Sequence, residues 1–116
     1  MKQIEILLKA LADRNRMRII ALLKNRKMCV CELAHVLGIT QPSVSRHLRK
    51  LGAAGLISDE QASFWTDYRI NNRDKCSEVL MSNINRWLSD EKLIKEDLKK
   101  AKNIDRRKLC CKKERR

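Results

Sequence analysis

Two short amphipathic segments separated by one tight turn constrain the fold of this chain more than any other feature. The first carries apolar residues at helical spacing from Val30 to Leu37 and is followed by Gly38, a residue type that commonly ends a helix. Thr40 is then an N-cap for the second segment, and Pro42 falls in its first turn, where a missing N–H does no harm. The spacing predicts two helices with helix-turn-helix geometry.

The second of these helices has two distinct faces. Val44, Leu48 and Leu51 form an apolar face that points inward, and a polar stripe lies opposite. Side chains of the types found in and around this stripe bind base edges and phosphates in the major groove, although the pattern alone also suits an ordinary solvated helix. The sequence predicts that the helix reads DNA through seven residues: Gln41, Ser43, Ser45, Arg46, His47, Arg49 and Lys50.

The other elements follow from the same kinds of pattern. Helices are expected at residues 4–11 and after the N-cap Asp13, and a long helix after Asp74 with a break near Ser89. Two strand-like runs, at 56–58 and 64–70, predict a short hairpin with 59–63 at its tip. The fold class is therefore mainly α with a short β-hairpin, a winged helix-turn-helix. We expect one DNA-binding and dimerisation domain at 1–101 and a basic, cysteine-containing tail at 102–116.

The predicted long helix carries an apolar stripe that needs a partner. A second copy of the chain, together with the first helix, is the simplest cover for such a stripe. This predicts a homodimer and a palindromic double-stranded DNA operator. The stripe consists of Leu80, Ile84, Trp87, Ile94 and Leu98.

The charge and hydropathy of the chain narrow the classes of partner. The net charge is +13, which attracts polyanions, but residues 92–116 carry +8 of it, so the globular part is only moderately basic. No run of 18 apolar residues exists and the first residues do not resemble a signal peptide, so we expect a cytoplasmic protein with no membrane partner. A thiol redox enzyme is an alternative class, disfavoured because the chain lacks a thioredoxin-like pattern, and no enzyme activity is expected.

The five cysteines fall in three places. Cys29 and Cys31 flank one valine, Cys76 stands alone, and Cys110 and Cys111 are adjacent in the basic tail. In a cytoplasmic chain this clustering indicates thiolate ligation or redox sensing rather than disulfides. The alternatives are core packing for the first pair and an incidental chain end for the last. Cys76 lies four residues before Leu80 and is predicted to be a core cysteine.

Four stretches together carry a family resemblance. They are the run Cys-Val-Cys-Glu-Leu-Ala from Cys29, residues 37–51, Ala-Gly-Leu-Ile from Ala54, and Trp-Thr-Asp-Tyr-Arg-Ile from Trp65. Over about residues 4–100 the chain resembles the ArsR/SmtB family of metalloregulatory repressors, and most nearly its arsenic-responsive branch. The resemblance implies a dimeric winged helix that releases its operator when arsenite or antimonite binds Cys29 and Cys31. Cadmium, lead and reactive sulfur are alternative inducers.

The sequence departs from that branch in its thiol set and in its wing. The branch has a third cysteine where this chain has Ala34, and trivalent arsenic prefers three sulfurs, so Cys110 or Cys111 is expected to complete the site. Residues 1–28 contain none of the cysteines that cadmium and lead sensors add, and the last helix has no histidine for zinc. The wing tip reads acidic at 59–63, where family members are basic.

Helical geometry predicts how the thiols would act. Residues two apart point about 200° apart on an ideal helix, so Cys29 and Cys31 could bind one ion only by distorting the start of their helix. That helix precedes the DNA-reading helix, and its distortion is expected to weaken DNA binding.

Overall fold

The structure, a computed structural model, describes residues 2–71 and 74–109. It confirms a mainly helical winged helix-turn-helix. In chain order the elements are α1 (Lys2–Leu11), α2 (Arg14–Asn25), α3 (Val30–Leu37), α4 (Gln41–Ala53), β1 (Ile57–Ala62), β2 (Trp65–Ile70), α5 (Lys75–Leu88) and α6 (Lys92–Lys102). A last helical turn occupies residues 106–109. Among the described helices, none is both long enough and apolar enough to cross a bilayer.

The helix ends are where the local sequence places them. The Asp13 side chain accepts the backbone N–H of Arg16 across 3.0 Å at the start of α2, and Thr40 Oγ1 accepts that of Ser43 across 3.3 Å at the start of α4. Gly38 ends α3 with φ at 71°, a left-handed conformation that favours glycine. These caps fix the turn between α3 and α4.

Helix α2 is the centre of the core. It packs against each of the other five named helices and against β2. Its buried residues, Ile19, Ile20, Leu22 and Leu23, are joined in one apolar cluster by buried residues from the surrounding elements. Helix α4, which is predicted to read DNA, adds its predicted inward face to this cluster, namely Val44, Leu48 and Leu51. The core therefore holds α3 and α4 on one scaffold.

The hairpin differs from its predicted form. β1 and β2 pair antiparallel as far as Ala62 opposite Trp65, so the turn is Ser63 and Phe64, and Ser63 takes a φ of 61°. The predicted tip at 59–63 is wrong because this tight turn lets pairing continue through the acidic residues. Asp59 and Glu60 lie within β1, and the Glu60 carboxylate accepts a hydrogen bond from Lys27 Nζ, which lowers its pKa.

The break predicted near Ser89 is confirmed, and it changes the assignment of the apolar stripe. Because α5 ends at Leu88, α6 turns back and packs against α2 and α3. Ile94 is only 4% exposed within the single chain, and Leu98 packs against the same core. The expectation that these two residues face a partner is therefore wrong.

A buried ion pair fixes α6 on α2. Arg18 Nε and Nη2 donate to the two Asp97 carboxylate oxygens across 2.8 and 2.9 Å, and both side chains are largely buried. The Asp97 hydrogen bond raises the pKa of Arg18, although burial works against it. The contact is bidentate, the geometry in which a guanidinium binds a carboxylate best.

Candidate DNA-reading helix and thiol site

The structure places all seven predicted DNA-reading residues on α4. Arg46, Arg49 and Lys50 are exposed, whereas the other four are half-buried. Ser43 Oγ accepts hydrogen bonds from Thr40 Oγ1 across 3.0 Å and from Arg46 Nη2 across 3.1 Å. This arrangement pre-orients the Arg46 guanidinium on the outer face, where a bidentate contact to guanine or a phosphate is chemically available.

His47 sits deeper than a solvated helix face would predict. Its Nδ1 lies 3.3 Å from Arg16 Nη1, and since arginine can only donate, Nδ1 is the acceptor and Nε2 carries the proton. Burial lowers the pKa of His47, and the charges of Arg16, Arg46 and Lys50 add to this against the opposing charge of Asp13. The ring is therefore neutral at pH 7, with Nε2–H as its donor.

Arg16 is a supporting residue that periodicity alone did not assign. Its Nε donates to the Ala10 carbonyl across 2.7 Å, which satisfies a carbonyl in the last turn of α1. The same guanidinium meets His47 of α4. Arg16 therefore joins α1 and α2 to α4, the helix predicted to read DNA.

A cleft of about 310 Å³ separates α4 from the hairpin. Ser45 and Arg49 line it from α4, and Ser58, Asp59 and Tyr68 line it from the strands. Burial raises the pKa of Tyr68, as does the charge of Asp59, so its hydroxyl keeps its proton and can donate. The hydroxyl and guanidinium donors of this cleft suit a backbone phosphate, whereas the Asp59 carboxylate in the same cleft opposes one. The sequence analysis did not single out Tyr68 as a candidate donor.

The two thiols of the Cys-Val-Cys motif have different surroundings. Cys29 is the N-cap of α3, with extended backbone at φ −96° and ψ 172°, and is 3% exposed. Its backbone N–H donates to Glu32 Oε1 across 3.0 Å, which forms a capping box. Cys31 lies inside the helix and is half-buried. The ideal-helix angle between the two thiols therefore does not apply, because Cys29 precedes the helix.

The remaining cysteines have separate outcomes. Cys76 is exposed in the first turn of α5, so the prediction of a core cysteine is wrong. Helical spacing placed the buried face one position off, because the buried residues of α5 are Ser77 and Met81 rather than Cys76 and Leu80. Cys110 and Cys111 lie outside the described residues. Within the ranges 2–71 and 74–109, no three or more His, Cys, Asp or Glu side chains come together as a metal site.

A buried carboxylate beside Cys29 ties the end of the described chain to α3. Glu32, 2% exposed, forms ion pairs with Arg26 at 3.1 Å and with Arg106 at 3.8 Å. Arg106 also pairs with Asp67 of β2 and lies 4.2 Å from the centre of the Trp65 ring. Burial works to lower the pKa of Arg106, but Asp67, with Glu32 and Cys29, raises it. The capping-box spacing from Cys29 to Glu32 was the one sequence signal for this network.

Cys31 opens onto a groove that also touches α4. The groove has a volume of about 590 Å³ and is lined by Cys31, Ala34, His35, Ile39, Thr40, Gln41, Pro42 and Leu109. Gln41 Nε2 donates a hydrogen bond to Cys31 Sγ across 3.6 Å. A predicted sensing thiol and a predicted DNA-reading residue are therefore in direct contact.

Comparisons with known proteins agree with this geometry. A model described as "Bacterial regulatory protein, arsR family" matches residues 13–59, which span α2, the helix-turn-helix and the start of the hairpin. The arsenic resistance transcriptional regulator ArsR2 of Pseudomonas putida is 32% identical over 113 residues, which cover 89% of this chain and 93% of that protein. The chain belongs to the ArsR family. Family members are transcriptional regulators rather than enzymes.

Other relatives match in part. This ArsR-family chain is 42% identical to the arsenic resistance transcriptional regulator ArsR1 of Pseudomonas putida over 67 residues, which is 57% of the chain and about half, 52%, of that relative. A homodimeric winged helix-turn-helix DNA-binding domain from Mycobacterium bovis, Mb0332, superposes with a TM-score of 0.65 at 26% identity. That match covers 79% of this chain and 82% of the other.

The exposed guanidinium of Arg46 leads to a first prediction. Arg46→Ala is expected to weaken binding to specific DNA by about 1–3 kcal/mol, because a base-edge contact is lost. Fluorescence anisotropy on specific and random duplexes measures this, with circular dichroism as the check on folding. Arg107→Ala removes the same charge from an exposed arginine outside α4 and is the control. Equal losses on both duplexes would show that Arg46 binds only phosphate.

Proposed function

We propose that this ArsR-family protein is a dimeric DNA-binding repressor that leaves its operator when arsenite or antimonite binds its cysteine thiolates. It acts where the DNA is, in the cytoplasm. One observation carries the proposal: Cys29, the N-cap of α3, and Cys31, in its first turn, lie at the start of the helix that packs directly on α4. Curated relatives named as arsenic resistance regulators support the choice of ligand.

The chemistry of the ligand fits the residues available. Thiolates favour soft, thiophilic ions, and trivalent arsenic is satisfied by three sulfurs. Leu109, the residue before Cys110 in the sequence, lines the same groove as Cys31. Chain connectivity therefore favours a third thiolate from Cys110 or Cys111 of the same protomer.

Ligation would act on DNA binding through the start of α3. Cys29 is buried as the N-cap, while Cys31 faces the groove toward α4. Because Cys29 is buried and caps α3, we expect the capping box at Cys29 and Glu32 to open or shift when both sulfurs and a tail thiolate bind one ion. Because α3 and α4 pack together, that shift reaches the DNA-reading helix.

Assembly as a homodimer is supported by apolar side chains that the single chain leaves uncovered. Helix α1 exposes Ile4, Ile6 and Leu8, and α5 exposes Val79 and Trp87, the last at 64%. Both helices pack on α2, so α2 holds their exposed outer faces in place relative to each other. A second copy is the partner we propose for these faces, as the Mycobacterium bovis relative is described as homodimeric.

Charge placed on that surface tests the dimer. Leu8 is 50% exposed on α1, so Leu8→Glu should leave the fold intact but oppose association. We expect a monomer in sedimentation equilibrium at micromolar concentration. Operator affinity should fall by roughly 100-fold or more, because two linked half-site contacts become one. Lys9→Gln, at an exposed neighbouring position on the same helix, lowers the net charge by the same amount and is the charge-matched control. A dimer that survives Leu8→Glu would move the interface elsewhere.

Operator binding in the presence of candidate inducers tests the function itself. Anisotropy of the wild-type protein on its operator is titrated in parallel with arsenite, antimonite, cadmium, lead, zinc and a sulfane-sulfur donor. We expect arsenite and antimonite to release the DNA at the lowest concentrations. Release by cadmium, lead or the sulfur donor alone would reassign the inducer, and failure of all six would remove the sensing role.

A further inference from the structure

Gln41 joins the candidate DNA-reading helix to the candidate thiol site. It is the first residue of α4, is half-buried, and donates from Nε2 to Cys31 Sγ across 3.6 Å. Both side chains line the groove of about 590 Å³ between α3 and α4. A ligand that enters this groove to reach Cys31 therefore also meets Gln41.

A primary amide can serve two partners at once. Its nitrogen carries two hydrogens and its oxygen two lone pairs. When one N–H donates to the Cys31 sulfur, the second N–H can still donate to a base or a phosphate. The carbonyl oxygen can still accept from a base. The first residues of the second helix of a helix-turn-helix are those that meet base edges, and Gln41 is at this position. A contact that fixes its rotamer in advance reduces the entropy lost on binding DNA.

We propose that Gln41 is the positioning residue that transmits the state of Cys31 to DNA. Hydrogen-bonded to Cys31 Sγ, its amide is held ready for DNA, and a metalloid on that sulfur removes the support. The identity of the metalloid rests on the proposed function, whereas the positioning of Gln41 by its hydrogen bond to Cys31 does not.

The chemical step balances without any oxidant or reductant. The Cys31 thiol forms an S–As bond with arsenite, one As–OH bond breaks, and the thiol proton leaves with that hydroxide as water. Arsenic stays trivalent. Arsenic takes the place of the thiol hydrogen and leaves both sulfur lone pairs, so the hydrogen bond is lost because the metalloid and its other ligands occupy the part of the groove that the Gln41 amide fills.

A double-mutant cycle without arsenite tests whether the hydrogen bond between Gln41 and Cys31 contributes to operator binding. Cys31→Ala removes the acceptor and is expected to weaken operator binding by roughly three- to tenfold, whereas Cys31→Ser keeps an acceptor and should change it less than about twofold. In a Gln41→Ala background, Cys31→Ala should have no further effect. His35→Ala, from the same groove, is the control and should bind normally. Additive losses in the cycle, in variants with wild-type circular dichroism, would overturn the proposal.

Arsenite titration tests the transmission. Gln41→Ala should bind arsenite as tightly as the wild type does. The ultraviolet absorbance of the S–As bond measures this binding. The variant's ratio of operator affinities without and with arsenite should be at least about threefold smaller than that of the wild type. Release as complete as in the wild type would refute the role of Gln41. A wild-type protein whose operator affinity does not change with arsenite would refute the proposed function instead. The double-mutant cycle would still show whether the hydrogen bond to Cys31 positions Gln41 for DNA.

Discussion

Cys31→Ser is expected to abolish the release of DNA by arsenite while leaving DNA affinity without arsenite nearly unchanged. Serine cannot form the thiolate bond, yet its hydroxyl still accepts the Gln41 hydrogen bond that Cys31 accepts across 3.6 Å. Allosteric coupling typically changes an affinity by about 5- to 150-fold, and in this variant the ratio of affinities without and with arsenite should fall to about one. Paired operator titrations with and without arsenite measure it.

Cys29→Ser should give the same loss of response from the other end of the motif. Cys29 is the N-cap of α3, and serine is a good N-cap, so the helix start is preserved. Cys76→Ser is the matched control, since this exposed cysteine on α5 is left out of the proposed thiolate set. A Cys29→Ser protein that still releases DNA would place the site outside the Cys-Val-Cys motif.

The tail thiols are expected to matter less. The double change Cys110→Ser, Cys111→Ser should weaken the response without removing it, because two sulfurs and a solvent oxygen can still satisfy trivalent arsenic. X-ray absorption on the arsenic-bound protein counts the sulfurs directly, with three expected in the wild type and two in the tail variant. Three sulfurs in both would exclude the tail as the source of the third ligand.

The sequence predicted most where the determinants are local. Thr40, Gly38 and Asp13 act on backbone groups within four residues of themselves, so the helix ends could be predicted without tertiary information. The inward face of α4 followed from periodicity in the same way. Periodicity did not fix the buried face of α5 to the residue, since Ser77 is buried and Cys76 is exposed, and it could not show that Arg16 supports His47.

The misassigned elements depend on contacts between distant parts of the chain. The pattern of an amphipathic stripe does not indicate whether the same chain or a partner covers it. Because the chain turns after Leu88, its own core covers Ile94. The hairpin tip depended on one residue, Ser63, adopting a left-handed conformation that serine rarely takes. Acidic residues predicted at the tip consequently lie in β1, where Lys27 partners Glu60. The DNA-reading stripe and the thiol motif, both local patterns, remain predictions for the experiments above.

Asp97→Ala is expected to destabilise the fold by about 3–5 kcal/mol, the largest stability effect of any change considered. The substitution leaves Arg18, whose side chain is 12% exposed, with a buried charge and no carboxylate opposite it. Denaturant unfolding followed by tryptophan fluorescence measures the loss, at one fixed protein concentration because association contributes to stability. Lys27→Ala, which removes an exposed ion pair with Glu60, is the control and should change stability by less than about 1 kcal/mol.

A double replacement separates two contributions to the free energy of unfolding: the cost of leaving one charge buried without its partner, and the net contribution of the intact ion pair. Arg18→Met with Asp97→Leu removes both charges and keeps apolar volume, so it should recover most of the stability lost in Asp97→Ala. If the double variant is as unstable as the single one, the ion pair itself holds α6 in place. That outcome would matter for sensing, because α6 packs on α3 and leads into the segment whose Arg106 pairs with Glu32 beside Cys29. The arsenite response of a folded double variant would then show whether α6 must be anchored for a tail thiolate to reach Cys31.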